Sequence, residues 1–315
     1  MNRVTIGAAL ALCASPALAI NIVLANDDGL TSNVKALYEE LRAAGHSVIV
    51  SVPCTGQSGR SSAIVMYSTT TIVADNDRTQ VDAEGGCHNG AAPLGAPAVG
   101  TFTKAGFTGG DYHYVHGTPV MALMYGLDVL APARWGKAPD LVLSGPNEGQ
   151  NVGKLVINSG TIGNTQFAAG RGIPAIALSA GANTADNAGL ANPVSRTVAQ
   201  LTGKLIAALQ AKAGSAPLLP AGIALNVNFP DAPSAGTGWA FARQGSYDTY
   251  RLKFNTGAPW GLSGAAPGAP TAEQAEDEAL VYKSKVAVTA MQVGYEQRPA
   301  AQQWLRLRLR DLFAQ

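Results

Sequence analysis

Ile22-Val23-Leu24-Ala25-Asn26-Asp27-Asp28-Gly29 is the stretch on which the fold turns. Four apolar residues run straight into a polar turn closed by glycine, the pattern of a buried strand that stops abruptly. Downstream, Val34, Leu37, Tyr38 and Leu41 recur at the i, i+3, i+4, i+7 spacing of an amphipathic helix from Thr31 or Ser32 to Ala44. Gly45 supplies its C-terminal stop. Val48-Ile49-Val50-Ser51-Val52 is a second apolar run, ended by Pro53. Strand, helix and strand in so short a span make a βαβ unit, which requires a parallel pair joined by a right-handed crossover.

The same rhythm returns further along. Leu141-Val142-Leu143-Ser144 and Ala175-Ile176-Ala177-Leu178-Ser179 read as strands, with a helix from Thr161 to Gly170 between them. A helix from about Val194 to Ala211 carries Val198, Leu201, Leu205 and Leu209 on one face, and Ile223 to Phe229 closes the series. The pattern predicts an α/β chain with a doubly wound, mostly parallel sheet, whose ligands bind beyond the carboxyl ends of its strands. The core is assigned to residues 20–230, with an excursion over 68–114. That excursion is β-prone from Thr69 to Val73, with a turn at Asn76-Asp77, and then becomes rich in Gly, Ala and Pro. Residues 231–315 read as a β-rich arm ending in a helix. Within it, hairpin strands are expected over Trp239 to Lys253, a loop over Gly257 to Pro270, and a strand over Val286 to Met291. Trp304, Leu305, Leu309 and Leu312 mark the C-terminal helix.

Composition narrows the function classes. Of 315 residues, 47% are hydrophobic and 14% charged, which supports a large core and excludes a disordered chain. Lys and Arg number 22 against 21 Asp and Glu, so no long-range field draws the chain to nucleic-acid polymers or anionic lipid. Residues 1–19 read as a secretory signal: Arg3 in the n-region, an apolar run from Val4 to Cys13, and an A-x-A site at Ala17-Leu18-Ala19. No run is long enough to span a bilayer. The expectation is a secreted or periplasmic protein, in which Cys54 and Cys87 remain as an even pair and form a structural disulfide.

Four polar segments carry the chemistry. Asp27 and Asp28, set in a turn at a strand end, supply hard oxygen ligands for Mg²⁺, Mn²⁺ or Ca²⁺; the plain alternative is an Asx-type turn with solvated carboxylates. Gly145-Pro146-Asn147-Glu148-Gly149-Gln150-Asn151-Val152-Gly153 alternates Gly and Asn after another strand, which suits anion cradling and neutral metal ligation. Asn158-Ser159-Gly160-Thr161 opens a helix, where hydroxyls and free N–H groups can hold phosphate, plain N-capping being the alternative. Gly56-Gln57-Ser58-Gly59 follows the second strand. In a doubly wound sheet all four lie on one rim.

The order N-D-D-G, then Ser58-Gly59, Gly117-Thr118-Pro119, S-G-x-N-x-G-x-N-x-G and S-G-T resembles the SurE (survival protein) family of metal-dependent 5′-nucleotidases and acid phosphatases. The similarity runs from Ile20 to Phe229, and Val286 to Met291 matches the family's late β arm. The resemblance implies a Rossmann-like core, one divalent metal, hydrolysis of nucleoside monophosphates, and a homodimer or homotetramer built through exchanged C-terminal segments. By motif it places metal ligands on Asp27, Asp28, Ser58 and Asn147, with the two Asp also catalytic. Phosphate contacts fall on Asn26, Asn151, Ser159, Gly160 and Thr161. The chain departs from the family pattern before Ser58, where Pro53-Cys54-Thr55-Gly56-Gln57 carries no Arg or Lys and Arg60 is the nearest cation.

Two rival classes are a secreted serine hydrolase and a non-catalytic binding protein. The first lacks a G-x-S-x-G elbow. The second leaves the paired carboxylates without a purpose. His116, just before Gly117, reads either as a structural residue or as an acid near the leaving group.

Overall fold

The computed structural model describes residues 19–65, 70–73, 85–107, 109–248, 251–256, 261–265, 268–296 and 299–313. The expected signal segment and the Asn76-Asp77 turn therefore lie outside the described residues, apart from Ala19.

The leading unit forms as expected. β1 (Asn21–Ala25) pairs in parallel with β2 (Ser47–Pro53) across α1 (Ser32–Ala43), with Ile22 opposite Val48. Thr31 caps the helix, its hydroxyl accepting from Val34 N at 3.2 Å. In chain order there follow β3 (Val99–Thr101), β4 (Tyr112–Val115), α2 (Pro119–Tyr125), α3 (Ala131–Trp135), β5 (Leu141–Glu148) and α4 (Gly160–Gly170). Next come β6 (Ala175–Ala180), α5 (Pro193–Ala213), β7 (Ile223–Asn228) and β8 (Trp239–Ala242). Last come β9 (Arg251–Asn255), β10 (Gly261–Ala265), α6 (Glu278–Val281), β11 (Val286–Gln292), α7 (Pro299–Arg308) and the short α8 (Arg310–Phe313).

Among the described residues, nine strands form one sheet in the order β3-β4-β2-β1-β5-β6-β7-β11-β8. From β4 to β7 every pair is parallel, while β3 and β11 run antiparallel to their inner neighbours. Successive side chains of a strand leave on opposite faces, and the core divides accordingly. Ile22 and Leu24 join Leu37, Val198 and Leu201 under α1 and α5, whereas Val23 and Ala25 join Leu123 and Ala168 under α2 and α4. Strand order reverses about β1, which lies between β2 and β5, so the crevice for a ligand opens at the end of β1, where Asn26-Asp27-Asp28-Gly29 begins.

Three elements differ from the sequence expectation. β8 and β9 do not form a hairpin: β8 adds to the main sheet in parallel beside β11, and β9 pairs with β10. β10 lies inside the expected Gly257–Pro270 loop, because its Gly-Leu-Ser-Gly-Ala composition hides a strand held by backbone pairing with β9. The helical run of α2 and α3 was not anticipated, although Thr118 caps α2 with Pro119 at its first turn. In the excursion, Thr71 bridges Pro97, and β4 pairs in parallel with β2.

Cys54 and Cys87 are joined by a disulfide. The bridge closes a loop between cysteines 33 residues apart, worth about 3–4 kcal/mol through loss of unfolded-state entropy. It tethers the excursion behind the N-D-D-G turn, where Asn89 Nδ2 donates to Leu30 O at 2.7 Å and His88 N to Cys54 O at 2.7 Å. Reduction is expected to lower the thermal midpoint by several degrees, read by calorimetry with and without reductant. An unchanged midpoint would contradict this account of the bridge.

Candidate functional site

The site begins with the Asn26 amide. Asn26 Nδ2 donates to Gly29 O at 2.7 Å and its Oδ1 accepts from Gly29 N at 3.1 Å, closing a turn that Gly29 completes at φ +83°. Asn164 Nδ2 holds the Asn26 carbonyl at 3.2 Å. Both ends of the Asn26 amide are thus spent on the turn, and what it does here is fix the two carboxylates that follow.

Asp27 is 3% exposed and Asp28 2% exposed. Asp27 Oδ1 accepts from the Thr161 hydroxyl at 2.7 Å. Burial pushes the Asp27 acid up, against lowering by the Thr161 hydroxyl and by the N–H groups of Gly160 and Thr161. The first residues of α4 therefore face this carboxylate, with the positive end of the helix dipole behind them. Asp28 Oδ2 accepts from Glu148 N at 3.2 Å. Burial pushes Asp28 well above the ordinary carboxylate range, and the charges of Asp27 and Glu148 add to it. Glu148 is itself raised to about 6, chiefly by burial, against a lowering hydrogen bond from Asn187.

β5 carries the second segment. Its register against β6 shifts between Ser144 and Asn147, and Glu148 N at its end reaches Asp28 in the turn after β1. Asn147 Nδ2 donates to Gly149 O at 2.7 Å, while its Oδ1 is buried without a hydrogen-bond partner. Asn151 is held through its backbone and its amide nitrogen. Its N–H donates to Asn228 Oδ1 at 2.9 Å, and its carbonyl accepts from Asn226 Nδ2 at 2.9 Å and Asn228 Nδ2 at 3.0 Å. Its own Nδ2 reaches Ser179 Oγ at 2.9 Å and Thr161 Oγ1 at 3.4 Å. Asn151, Thr161 and Asp27 form one chain of hydrogen bonds.

Ser159 caps α4, its hydroxyl accepting from Ile162 N at 3.2 Å. Gly160 lies against Asp27 so closely that a Cβ there would stand 2.7 Å from Asp27 Cβ and 2.9 Å from Asp27 Oδ2. The Gly56–Ala63 loop crosses above. Gln57 N donates to Asp27 O at 2.7 Å, Ser61 N to Asn158 O at 3.2 Å, and Thr118 Oγ1 to Ala63 O at 2.6 Å. Ser58 is exposed on that loop, next to Gln57. His116 is buried, its N–H donating to Ala98 O at 2.7 Å.

The structure thus brings Asp27, Asp28, Gly160, Thr161, Asn151 and the Asn147–Glu148 segment together on one rim. Sequence reading missed Glu148, Asn164, Ser179, Asn187, Asn226 and Asn228. The available signal was Leu225-Asn226-Val227-Asn228, where asparagine occupies alternate positions of an otherwise apolar, buried strand. Buried amides at that period need partners.

These donors fit a hard divalent cation. Among the described residues no Lys or Arg forms an ion pair with Asp27 or Asp28, so two buried acids share one turn without a compensating charge. Among the same residues no three His, Cys, Asp or Glu side chains gather into a metal cluster. A cation held by the Asp pair would draw its other protein ligands from neutral oxygens, of which Asn147 Oδ1 is buried and unclaimed.

An acid phosphatase of Yarrowia lipolytica is 36% identical over 219 residues, covering 66% of this chain and 56% of its own. A 5′-nucleotidase SurE of Desulfovibrio desulfuricans is 32% identical over 161 residues, 51% of this chain and 49% of its own. The chain therefore spans about half the length of these two relatives. A 5′-nucleotidase SurE of Nitratidesulfovibrio vulgaris is 30% identical over 288 residues, 89% of both chains. The crystal structure of a SurE protein from Aquifex aeolicus shares the fold at a TM-score of 0.64 and 21% identity, covering 91% of this chain and 98% of that one. The family described as survival protein SurE matches residues 22–251, from the first strand through the Gly/Asn loop and into the arm, and the chain belongs to that family.

Proposed function

We propose that the protein is a divalent-metal-dependent phosphomonoesterase that hydrolyses nucleoside 5′-monophosphates to nucleoside and phosphate, with other phosphomonoesters as further substrates. The observation that supports this most is the buried, uncompensated Asp27–Asp28 pair at the switch point of the sheet, with the start of α4 against it. Asp27, Asp28, Asn147 and Ser58 would hold Mg²⁺, Mn²⁺ or Ca²⁺. A cation there supplies concentrated positive charge that offsets the charge of the phosphoryl group as its ester bond breaks. Asn151, with Ser159, Gly160 and Thr161, orients the phosphate, and Asn26 keeps the turn closed. The names of the Yarrowia and Nitratidesulfovibrio relatives, an acid phosphatase and a 5′-nucleotidase, agree with this reading.

The test is hydrolysis of p-nitrophenyl phosphate and of nucleoside monophosphates before and after treatment with EDTA. Turnover is expected to fall about a hundredfold or more with chelation and to return when Mg²⁺, Mn²⁺ or Ca²⁺ is added in excess. Undiminished turnover in EDTA would overturn the reading.

Residues 1–19 are further proposed as a cleaved signal, placing the mature protein outside the cytoplasm. The Cys54–Cys87 bridge supports an oxidising compartment. No described helix is long and apolar enough to cross a membrane. Exposed Trp304, Leu305, Leu307 and Leu312 on the C-terminal helical segment support assembly into a homodimer or homotetramer.

A further inference from the structure

The hydrogen bonds that secure Asn151 continue past the parallel core into the C-terminal region. Asn226 Nδ2 donates one hydrogen to Asn151 O at 2.9 Å and the other to Glu278 Oε2 at 3.0 Å. Glu278 is fully buried at the start of α6. Its Oε1 accepts from Gly153 N at 2.9 Å, and its Oε2 also accepts from Thr289 Oγ1 on β11 at 2.7 Å. One carboxylate therefore gathers three donors, from the Gly/Asn loop, from β7 and from β11. The far side of the loop is covered by the same region: Gln244 Nε2 donates to Gly153 O at 3.0 Å, and Lys154 pairs with Asp248 at 2.8 Å.

The orientation of the Asn226 amide is the sensitive point. Its Oδ1 is buried and has no hydrogen-bond partner, so only the two acceptors flanking its NH₂ group determine which way it faces. An ionised carboxylate can only accept. A neutral acid or a carboxamide at 278 presents a donor, which attracts Asn226 Oδ1 instead and turns its NH₂ group away from the Asn151 carbonyl.

We propose that Glu278 is a positioning residue of the phosphate site: its carboxylate orients Asn226 and anchors Gly153, and so holds Asn151 where its amide reaches Thr161 and, through it, Asp27. The role assigned to Asn151 rests on the phosphomonoesterase reading; the clamp itself does not.

The acid is poised to lose its charge near neutrality. Burial pushes Glu278 up to about 7, partly opposed by the hydrogen bonds from Thr289, Gly153 and Asn226, with the Asp277 charge raising it further. Asp277 is in turn paired with Arg243, Nε to Oδ1 at 2.8 Å. A raised carboxyl pKa means that the stability it contributes is present below the ordinary range and is lost as pH rises through about 7. Acidification through that point therefore favours the fold while it places a donor where only acceptors orient the loop. Stability and loop order move in opposite directions, a signature that a merely structural residue does not give.

Glu278→Gln in the full chain is the test, with two readouts. In hydrogen exchange at pH 8, amides of residues 150–154 are expected to exchange about tenfold faster, while those of β1 and α5 keep their protection. In kinetics on a nucleoside monophosphate, kcat/KM is expected to fall about tenfold with most of the change in KM, and the limb of the pH profile near 7 is expected to flatten. Unchanged exchange over 150–154 overturns the proposal, even if activity falls. Should the wild-type protein hydrolyse no phosphomonoester, the functional reading fails while exchange still decides the clamp. If Glu278→Gln does not fold, Asn226→Ala cuts the same relay, and unaltered loop exchange in that variant also overturns it.

Discussion

Asp28→Asn is expected to abolish phosphomonoester hydrolysis, by about a thousandfold or more, while raising the thermal midpoint of the metal-free protein. The first effect follows from charge: an amide offers a cation one neutral oxygen in place of a carboxylate, a loss of several kcal/mol in the transition state. The second follows from burial. Asp28 is 2% exposed, and its acid is pushed up by desolvation first, then by Asp27 and Glu148. With its pKa raised, the stability contributed by its protonated form is present below the ordinary range and is lost as pH rises through the folded value. Ionising this buried acid therefore costs the metal-free fold, and a neutral isostere avoids that cost, while Oδ1 of the amide can still accept from Glu148 N. Added Mn²⁺ should raise the midpoint of the wild type and leave that of Asp28→Asn unmoved. A variant that retains turnover, or that is stabilised by Mn²⁺ as strongly as the wild type, would contradict the assignment.

Gly160→Ala is expected to cost about 1–3 kcal/mol of stability and about a hundredfold in kcat/KM. The added methyl would lie 2.7 Å from Asp27 Cβ, 2.9 Å from Asp27 Oδ2 and 2.9 Å from Pro119 Cγ, so α4, α2 or the carboxylate must shift. Alanine is a better helix former than glycine, and propensity alone would predict a gain. The sign of the measured change thus separates close packing on Asp27 from an ordinary first-turn position. Chemical denaturation with steady-state kinetics on the same preparation reads both quantities, and a stabilised, fully active variant would contradict the geometry.

What the sequence disclosed follows from what repeats along it. Val34, Leu37 and Leu41 face the core at helical spacing, and the apolar runs of β1, β2, β5, β6 and β7 read as buried strands because both faces of a parallel sheet are covered. Asp27, Asp28, Asn151 and Thr161 were legible because each stands just beyond a strand or opens a helix on the same rim. What was not legible depended on contacts distant in sequence. Nothing local tells that Asn226 and Asn228 turn toward residue 151, since their role appears only once β7 lies beside β6. Glu278 stands in a run of three acids, Glu276-Asp277-Glu278, with no local sign that it is fully buried and accepts from Gly153 N of the Gly/Asn loop. Asn26 and Ser159, phosphate contacts by motif position, carry structural bonds that no motif discloses: their side chains close the first turn and cap α4.

The most direct measurement is anomalous diffraction from crystals of the wild-type protein equilibrated with Mn²⁺ and inorganic phosphate. The account predicts a single strong peak about 2.0–2.3 Å from carboxylate oxygens of both Asp27 and Asp28, with Asn147 Oδ1 turned toward it and phosphate between it and Asn151. A peak at any other place, or none beside the two aspartates at saturating Mn²⁺, would contradict it.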